Sequence, residues 1–208
     1  MIKGIDVSGI QGIVDWHVVA NAGYEFAICK CGNGNDGIDG TYSRNIAGAK
    51  TAGLKVAAYH VIYPLQTDPA HPNRDPVGQA TMHFNASQGM ISCADLEFPA
   101  PQNWATWGIS AAFINEWTQE YLAYYAQLSG QTPFLYSYPY FFNAVNFTSA
   151  ITLFPLWIAS YTNVPVIPHP YTSWSIWQAS GGSITLPGTN IPVDEDYISD
   201  PSVLAALS

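Results

Sequence analysis

The sequence predicts an α/β protein, an irregular β/α barrel whose helices thin out toward the C-terminus. Three observations predict it. Short apolar strand candidates alternate with helical segments through the first part of the chain, an order that argues for parallel strands. Eight strand candidates can be counted, enough to close a barrel. The acidic residues spent on those strands fall at strand ends, where such a barrel keeps its active site. At 208 residues the chain fits one domain, 1–208, with no linker or internal repeat.

The elements follow in order. KGIDVSG (3–9) is a short apolar run ending in Gly, a first strand. GIVDWHVVANAG (12–23) places Ile13, Trp16, Val19 and Ala20 at helical spacing before a terminal Gly. YEFAICKC (24–31) is a second strand and CGNGNDGIDG (31–40) a loop. TYSRNIAGAKTAG (41–53) reads as a helix that leads into a third strand, LKVAAYHVIY (54–63). DPVGQATMHFNASQG (75–89) supplies the helix before the fourth strand, MISCADLEF (90–98). After the proline-rich FPAPQN (98–103) comes a longer helix within 109–130. TPFLYSY (132–138), FPLWIASY (154–161), SWSIWQAS (173–180) and NIPVDEDYI (190–198) complete the strands, with only a short FFNAV (141–145) turn or helix among them. The pattern is that of an irregular TIM-like barrel. An open doubly wound sheet is the runner-up.

Composition excludes several classes. Hydrophobic residues make up 48% and charged residues 10%, against the usual quarter, so the chain is globular rather than disordered. Net charge is −9, and the six Lys and Arg do not cluster. A nucleic-acid groove and an anionic membrane surface are therefore not expected as partners. MIKGIDVSG (1–9) has no signal-peptide hydrophobic region and no run of 18 apolar residues follows, so release by another route or a leader outside this chain is expected. Cys29 and Cys31 share one strand, where i, i+2 geometry disfavours a mutual disulfide, and with Cys93 they read as small buried hydrophobes. His17, His60, His71, His83 and His169 show no metal-ligand spacing; His60 reads as a satisfied structural histidine. Gly32, Gly34 and Gly37 match a dinucleotide fingerprint in spacing, but no helix opens directly after them. Asn85-Ala-Ser87 and Asn146-Phe-Thr148 are formal glycosylation sequons, read as chance occurrences.

The chemistry sits in the acids. Strand side chains alternate, so Asp95 and Glu97 point to one side with Cα atoms about 6.5 Å apart, and Cys93 shares that face. Asp6 occupies the matching end of strand one. Asp194 lies on or just after the last strand, the neighbour of the first in a closed barrel. Carboxylates held together cannot all ionise cheaply, so one is pushed toward its neutral form. A neutral acid beside an ionised carboxylate is what glycosidic cleavage requires. The plain structural alternative is that Asp6 or Asp194 caps a helix or turn. Aromatics near strand ends suit a saccharide groove: Tyr59, Tyr63, Tyr136, Tyr138, Trp157, Tyr161 and Trp177, with Gln178 as a neutral partner for sugar hydroxyls. Most of the chain's 7 Trp and 13 Tyr are nonetheless expected in the core.

GIDVSGIQGIVDW (4–16), FAICK (26–30), AGLKVAAYH (52–60), ADLE (94–97), PLWIASY (155–161), WSIWQ (174–178) and VDED (193–196), in that order, resemble the glycoside hydrolase family 25 lysozymes, the Chalaropsis-type muramidases. The resemblance implies a modified barrel, as in phage endolysins, that acts as an N-acetylmuramidase on bacterial peptidoglycan. The bond is the β-1,4 link between N-acetylmuramic acid and N-acetylglucosamine. It implies no metal or cofactor, a monomer, and action at the bacterial wall after secretion or phage delivery. Glu97 matches the general acid. Asp95, Asp6 and Asp194 match the carboxylates around the cleavage site, and Lys30 and Tyr59 match motif positions at its rim or floor.

The chain departs from the family's pattern in three places. Asn33 stands where a Glu commonly follows the strand-two Lys. Tyr59-His60-Val61 replaces Y-H-F, and Asp194-Glu195-Asp196 replaces a late D-x-N. Members are generally retaining, which leaves Asp95 either attacking directly or orienting the substrate's acetamido group. Two rivals are a non-catalytic wall-binding or phage structural module and a chitinase-like activity.

Overall fold

The computed structural model describes residues 1–65 and 75–208; His71 lies outside them. Strands β1 (Ile2–Val7), β2 (Phe26–Asn33), β3 (Gly37–Ile38), β4 (Lys55–Val61), β5 (Ser92–Asp95), β6 (Phe134–Ser137), β7 (Leu156–Ala159), β8 (Ile176–Gln178) and β9 (Asp194–Ile198) form one sheet. Its order is β1-β9-β8-β7-β6-β5-β4-β2-β3, and β1 also pairs with β2. Eight strands thus close into a barrel, with β3 appended to β2 as an antiparallel hairpin. That hairpin occupies the glycine-rich segment read as loop, so the apparent dinucleotide fingerprint is a strand–turn–strand.

The helices are α1 (Trp16–Asn21), α2 (Tyr42–Thr51), α3 (Pro76–Ser87), α4 (Trp104–Trp107), α5 (Ala111–Ser129), α6 (Pro139–Val145) and α7 (Pro201–Ala206). Their boundaries follow local chemistry. Asp75 caps α3 through Gly78 N–H with Pro76 in the first turn, and Ser110 caps α5 through the Phe113 N–H. Gly130 then ends α5 in a left-handed conformation. Helix α1 starts at Trp16, later than the periodicity suggests, and Ile13 is exposed.

Strand parity sorts the core into layers. Ile5, Val7, Ala27, Cys29, Cys31, Val56 and Ala58 face outward against α1 and α2. Leu135, Leu156 and Ile158 face outward into an aromatic layer under α4, α5 and α6 that includes Trp104, Trp117, Tyr121 and Phe141. The barrel interior holds Phe26, Ile28, Cys93, Phe134, Tyr136, Trp157, Ile176 and Ile198, with Leu207 beyond α7 packed beneath them. All three cysteines are buried and free.

Parallel pairing runs through β1, β2, β4, β5, β6, β7 and β8, but β9 is antiparallel to both β8 and β1. The parallel order read from the first part of the chain does not extend to β9, for a physical reason. The connection of residues 179–193 turns back on itself at the rim through an antiparallel Ile184–Val193 bridge instead of crossing to the far end of the barrel, so the chain re-enters the sheet antiparallel. The reversal puts the first residue of β9, Asp194, at the rim where the other strands end.

Gly4 shows how tightly the barrel is packed. A Cβ there would stand 2.3 Å from the Phe26 ring, inside contact distance. Gly4→Ala is therefore expected to destabilise the fold by about 1–3 kcal/mol, read as a lowered thermal midpoint by circular dichroism. An unchanged midpoint would mean that the Phe26 ring moves aside freely.

Candidate active site

The pit at the C-terminal end of the parallel strands is built from two acidic walls. Asp6 lies near the end of β1 and stands opposite Asp194 in the antiparallel register. Asp196, two residues further along β9, turns to the same interior face. Asp95 ends β5 and Glu97 follows two residues later. In the closed order β5 is four strands from β9, so the Asp95–Glu97 wall faces the Asp6–Asp194–Asp196 wall across the pit. Lys30 from β2 and Tyr59 from β4 fill one side between the walls. Tyr136, Trp157 and Gln178 from β6, β7 and β8 fill the other.

Hydrogen bonds fix the first acidic wall. Gln178 Nε2 donates to Asp6 Oδ2 at 2.7 Å. The Gln178 Oε1 accepts from the hydroxyls of Tyr136 at 2.8 Å and Tyr161 at 2.9 Å, which sets the amide so that its NH₂ faces Asp6. Trp157 Nε1 donates to Asp196 Oδ1 at 2.8 Å. The Gly182 N–H holds the Asp194 carboxylate at the rim.

Burial and crowding raise every acid of the pit. Asp6 is pushed up to about 7, first by burial and then by the Asp194 charge, with hydrogen bonds from Gln178 and Asp196 pulling back. Asp95 lies well above the usual carboxylate range through burial and the Glu97 charge, offset in part by Lys30. Glu97 opens to solvent at the mouth, yet the surrounding protein still raises it, while a hydrogen bond from Asp95 and the Lys30 charge pull it back. Two carboxyls this close cannot both ionise cheaply, and burial raises the more enclosed Asp95 further. Asp39 shows the contrast. Its carboxylate accepts from Gly9 N–H at 2.9 Å, Thr41 N–H at 2.8 Å and the Thr41 hydroxyl at 2.6 Å, and is held below the usual range despite partial burial.

The structure does not bring every expected residue to the pit. Trp177 points outward, because on β8 the inward positions are Ile176 and Gln178. Its indole donates to Ser160 O at 2.7 Å and its ring packs on Trp174 and Tyr197, so it belongs to the outer core. Trp157 is only 2% exposed and forms the floor beneath Tyr59 and Tyr136 rather than an open face. Tyr161 is 60% exposed at the rim. Tyr63 is held by its backbone, with its N–H donating to Gln79 Oε1 and its carbonyl accepting from Gln79 Nε2. Its ring meets Phe98, which in turn meets the half-exposed Trp107, at centroid distances of 5.3 and 5.1 Å. Phe98 and Trp107 of this rim row, and Asp196, are absent from the sequence-based set, which held Tyr63. Asp196 was within reach, since it shares period two with Asp194. His60 lies outside the barrel, stacked on His83 at 4.8 Å, with Nε2 3.0 Å from Gly34 O. Among the described residues no group of three or more His, Cys, Asp or Glu is arranged to hold a metal, and no helix is long and apolar enough to cross a membrane.

A closed β/α barrel whose open end holds opposed carboxyls, all raised by burial and by one another, is the arrangement of a glycoside hydrolase. The chain belongs to the glycosyl hydrolases family 25, whose family model matches residues 5–186. It is 30% identical over 204 residues to the autolytic lysozyme of Clostridium acetobutylicum, covering 96% of this chain and 56% of that protein. It is 27% identical over 191 residues to lysozyme M1 of Streptomyces globisporus, covering 86% and 62%. The chain thus spans 56–62% of the length of these two relatives. The fold is shared with the bacterial lysozyme from Streptomyces coelicolor, with a TM-score of 0.85 at 24% identity over 99% of this chain and 96% of that one.

Proposed function

We propose that the protein is a peptidoglycan hydrolase, an N-acetylmuramidase cleaving the β-1,4 bond between N-acetylmuramic acid and N-acetylglucosamine. The observation that carries this is the Asp95–Glu97 pair, two raised carboxyls at an open rim opposite a second acidic wall; in this reading the pair retains one proton between them. Glu97 is the member that substrate can reach. A sugar lying over the mouth strips solvent from Glu97 and draws the shared proton onto it, ready for transfer to the departing glycosidic oxygen. Asp95, on the same wall, cannot attack the opposite face of the sugar. Its role is to orient the substrate's 2-acetamido group, which attacks carbon one and leads to retention. A second reading is favoured by Asp6, which stands on the facing wall and is an alternative partner for carbon one.

Tyr59, Tyr136 and Tyr161, with Gln178 and Lys30, line the walls where a saccharide would lie, and Tyr63 extends that surface along the rim. Bacterial peptidoglycan is the substrate, and the protein acts on the wall as a monomer, secreted or delivered by phage. Digestion of purified peptidoglycan followed by mass analysis tests the reading. Fragments with N-acetylmuramic acid at the new reducing end are expected, whereas N-acetylglucosamine ends or intact sacculi would overturn it. Failure to cut a substrate lacking the N-acetyl group would support acetamido assistance over Asp6.

A further inference from the structure

We propose that Asp196 is a positioning residue of this site, a neutral buried acid that donates its proton to Asp6 and holds that carboxyl in place across the barrel from Glu97. The role given to Asp6 rests on the muramidase reading, but the proton between the two acids does not. Asp196 is fully buried in the interior of β9, opposite Gly4 on β1 and Gln178 on β8. Its Oδ1 accepts the Trp157 indole N–H at 2.8 Å, while its Oδ2 meets no N–H or hydroxyl donor. Gln178, the residue opposite Asp196 on β8, donates to Asp6 Oδ2. Gly4, opposite Asp196 on β1, lies two residues before Asp6, so the Asp6 carboxyl stands on the same inner face beside it.

Two carboxylate oxygens cannot bond to each other without a hydrogen. An ionised Asp196 would also leave a buried charge and an orphaned acceptor, each costly. One proton on Asp196 Oδ2, donated to Asp6, removes both problems. Among the described residues, the groups that act on Asp196 include no cation. Asp6 from β1, Asp194 from its own strand and the Cys93 thiol from β5 face it, and Trp157 from β7 is neutral. The nearby cation, Lys30, acts instead on Asp95, Glu97 and Asp39. Burial and the Asp6 charge raise Asp196 well above the usual range, and the bond between them lowers Asp6 while raising Asp196, as expected if Asp196 is the donor. Asp6 is thus gripped from two sides, by Asp196 and by a Gln178 amide that two tyrosines lock in orientation.

The test compares Asp196→Asn, whose amide can still donate to Asp6 and accept from Trp157, with Asp196→Leu, which can do neither. Carboxyl ¹³C signals of aspartate-labelled protein are followed against pH, alongside kinetics on soluble peptidoglycan fragments. In the wild type the Asp196 signal stays protonated through neutral pH and is missing from both variants. The Asp6 midpoint lies near 7 in the wild type and the Asn variant and about one unit higher in the Leu variant. The Leu variant is expected to lose about 100-fold in kcat with KM within about threefold, and the Asn variant to recover most of that loss. An Asp196 signal already ionised at pH 5, or an Asn variant as impaired as Leu, overturns the proposal. If the Leu variant does not fold, the wild-type titration and the Asn variant decide. A wild type that leaves peptidoglycan uncut sinks the muramidase reading, and the titration still shows whether the proton joins Asp196 to Asp6.

Discussion

Glu97→Gln is expected to abolish cell-wall clearing, with a loss on the order of a thousandfold in kcat, while binding to peptidoglycan survives. The substitution keeps the size and hydrogen-bonding reach of the side chain but removes the transferable proton. Glu97 is also open to solvent, so little packing is disturbed. A turbidity assay on purified walls reads the first effect and a pull-down on the same walls the second. The variant also separates the enzyme from a non-catalytic wall-binding module on the same barrel. Clearing that persists within tenfold of wild type would remove Glu97 from the role of acid and leave Asp95 or Asp6 to be tested for it.

The second large effect is on stability. Asp6 binds its proton more tightly in the folded state, its pKa rising from 3.8 to about 7. Its contribution is therefore full below the unfolded value and is lost as pH rises through about 7, with a ceiling of about 4 kcal/mol. Asp95 and Asp196, also raised, act in the same direction and extend the loss upward. The buried histidines oppose this in a lower window. His60 is lowered from 6.5 to about 4, so its contribution is full above 6.5 and is lost as pH falls toward 4; His83 behaves alike. Above pH 6.5 the histidines no longer contribute a slope, and the carboxylates act together with the three buried thiols, whose raised pKa values add a loss in the same direction above about pH 8. The thermal midpoint is expected to fall by several degrees between pH 6.5 and 8.5. Asp6→Asn, which removes one of the titrating groups, is expected to flatten that slope and to melt higher than wild type at pH 8. A midpoint that rises over this range would contradict protonated acids in the barrel.

Such a cluster trades stability for chemistry. Acids that resist ionisation weaken the fold at neutral pH, and under the proposed function the same resistance would hold a proton in reach of the glycosidic oxygen.

The sequence by itself determined the alternation of strand and helix, the eight barrel strands and the thinning of helices after α5. Each depends on local periodicity, caps and breakers that act within a few residues. It also determined that Asp95 and Glu97 share a face, because strand parity is local, and parity would have admitted Asp196 beside Asp194 and excluded Trp177 beside Gln178. Only the tertiary structure decided that β9 runs backward, bringing Asp194 and Asp196 onto the wall with Asp6. Only it decided that this wall faces Glu97. The direction of a returning strand and the pairing of two acids across a barrel depend on closure, which couples residues far apart in the chain and leaves no periodic trace in it.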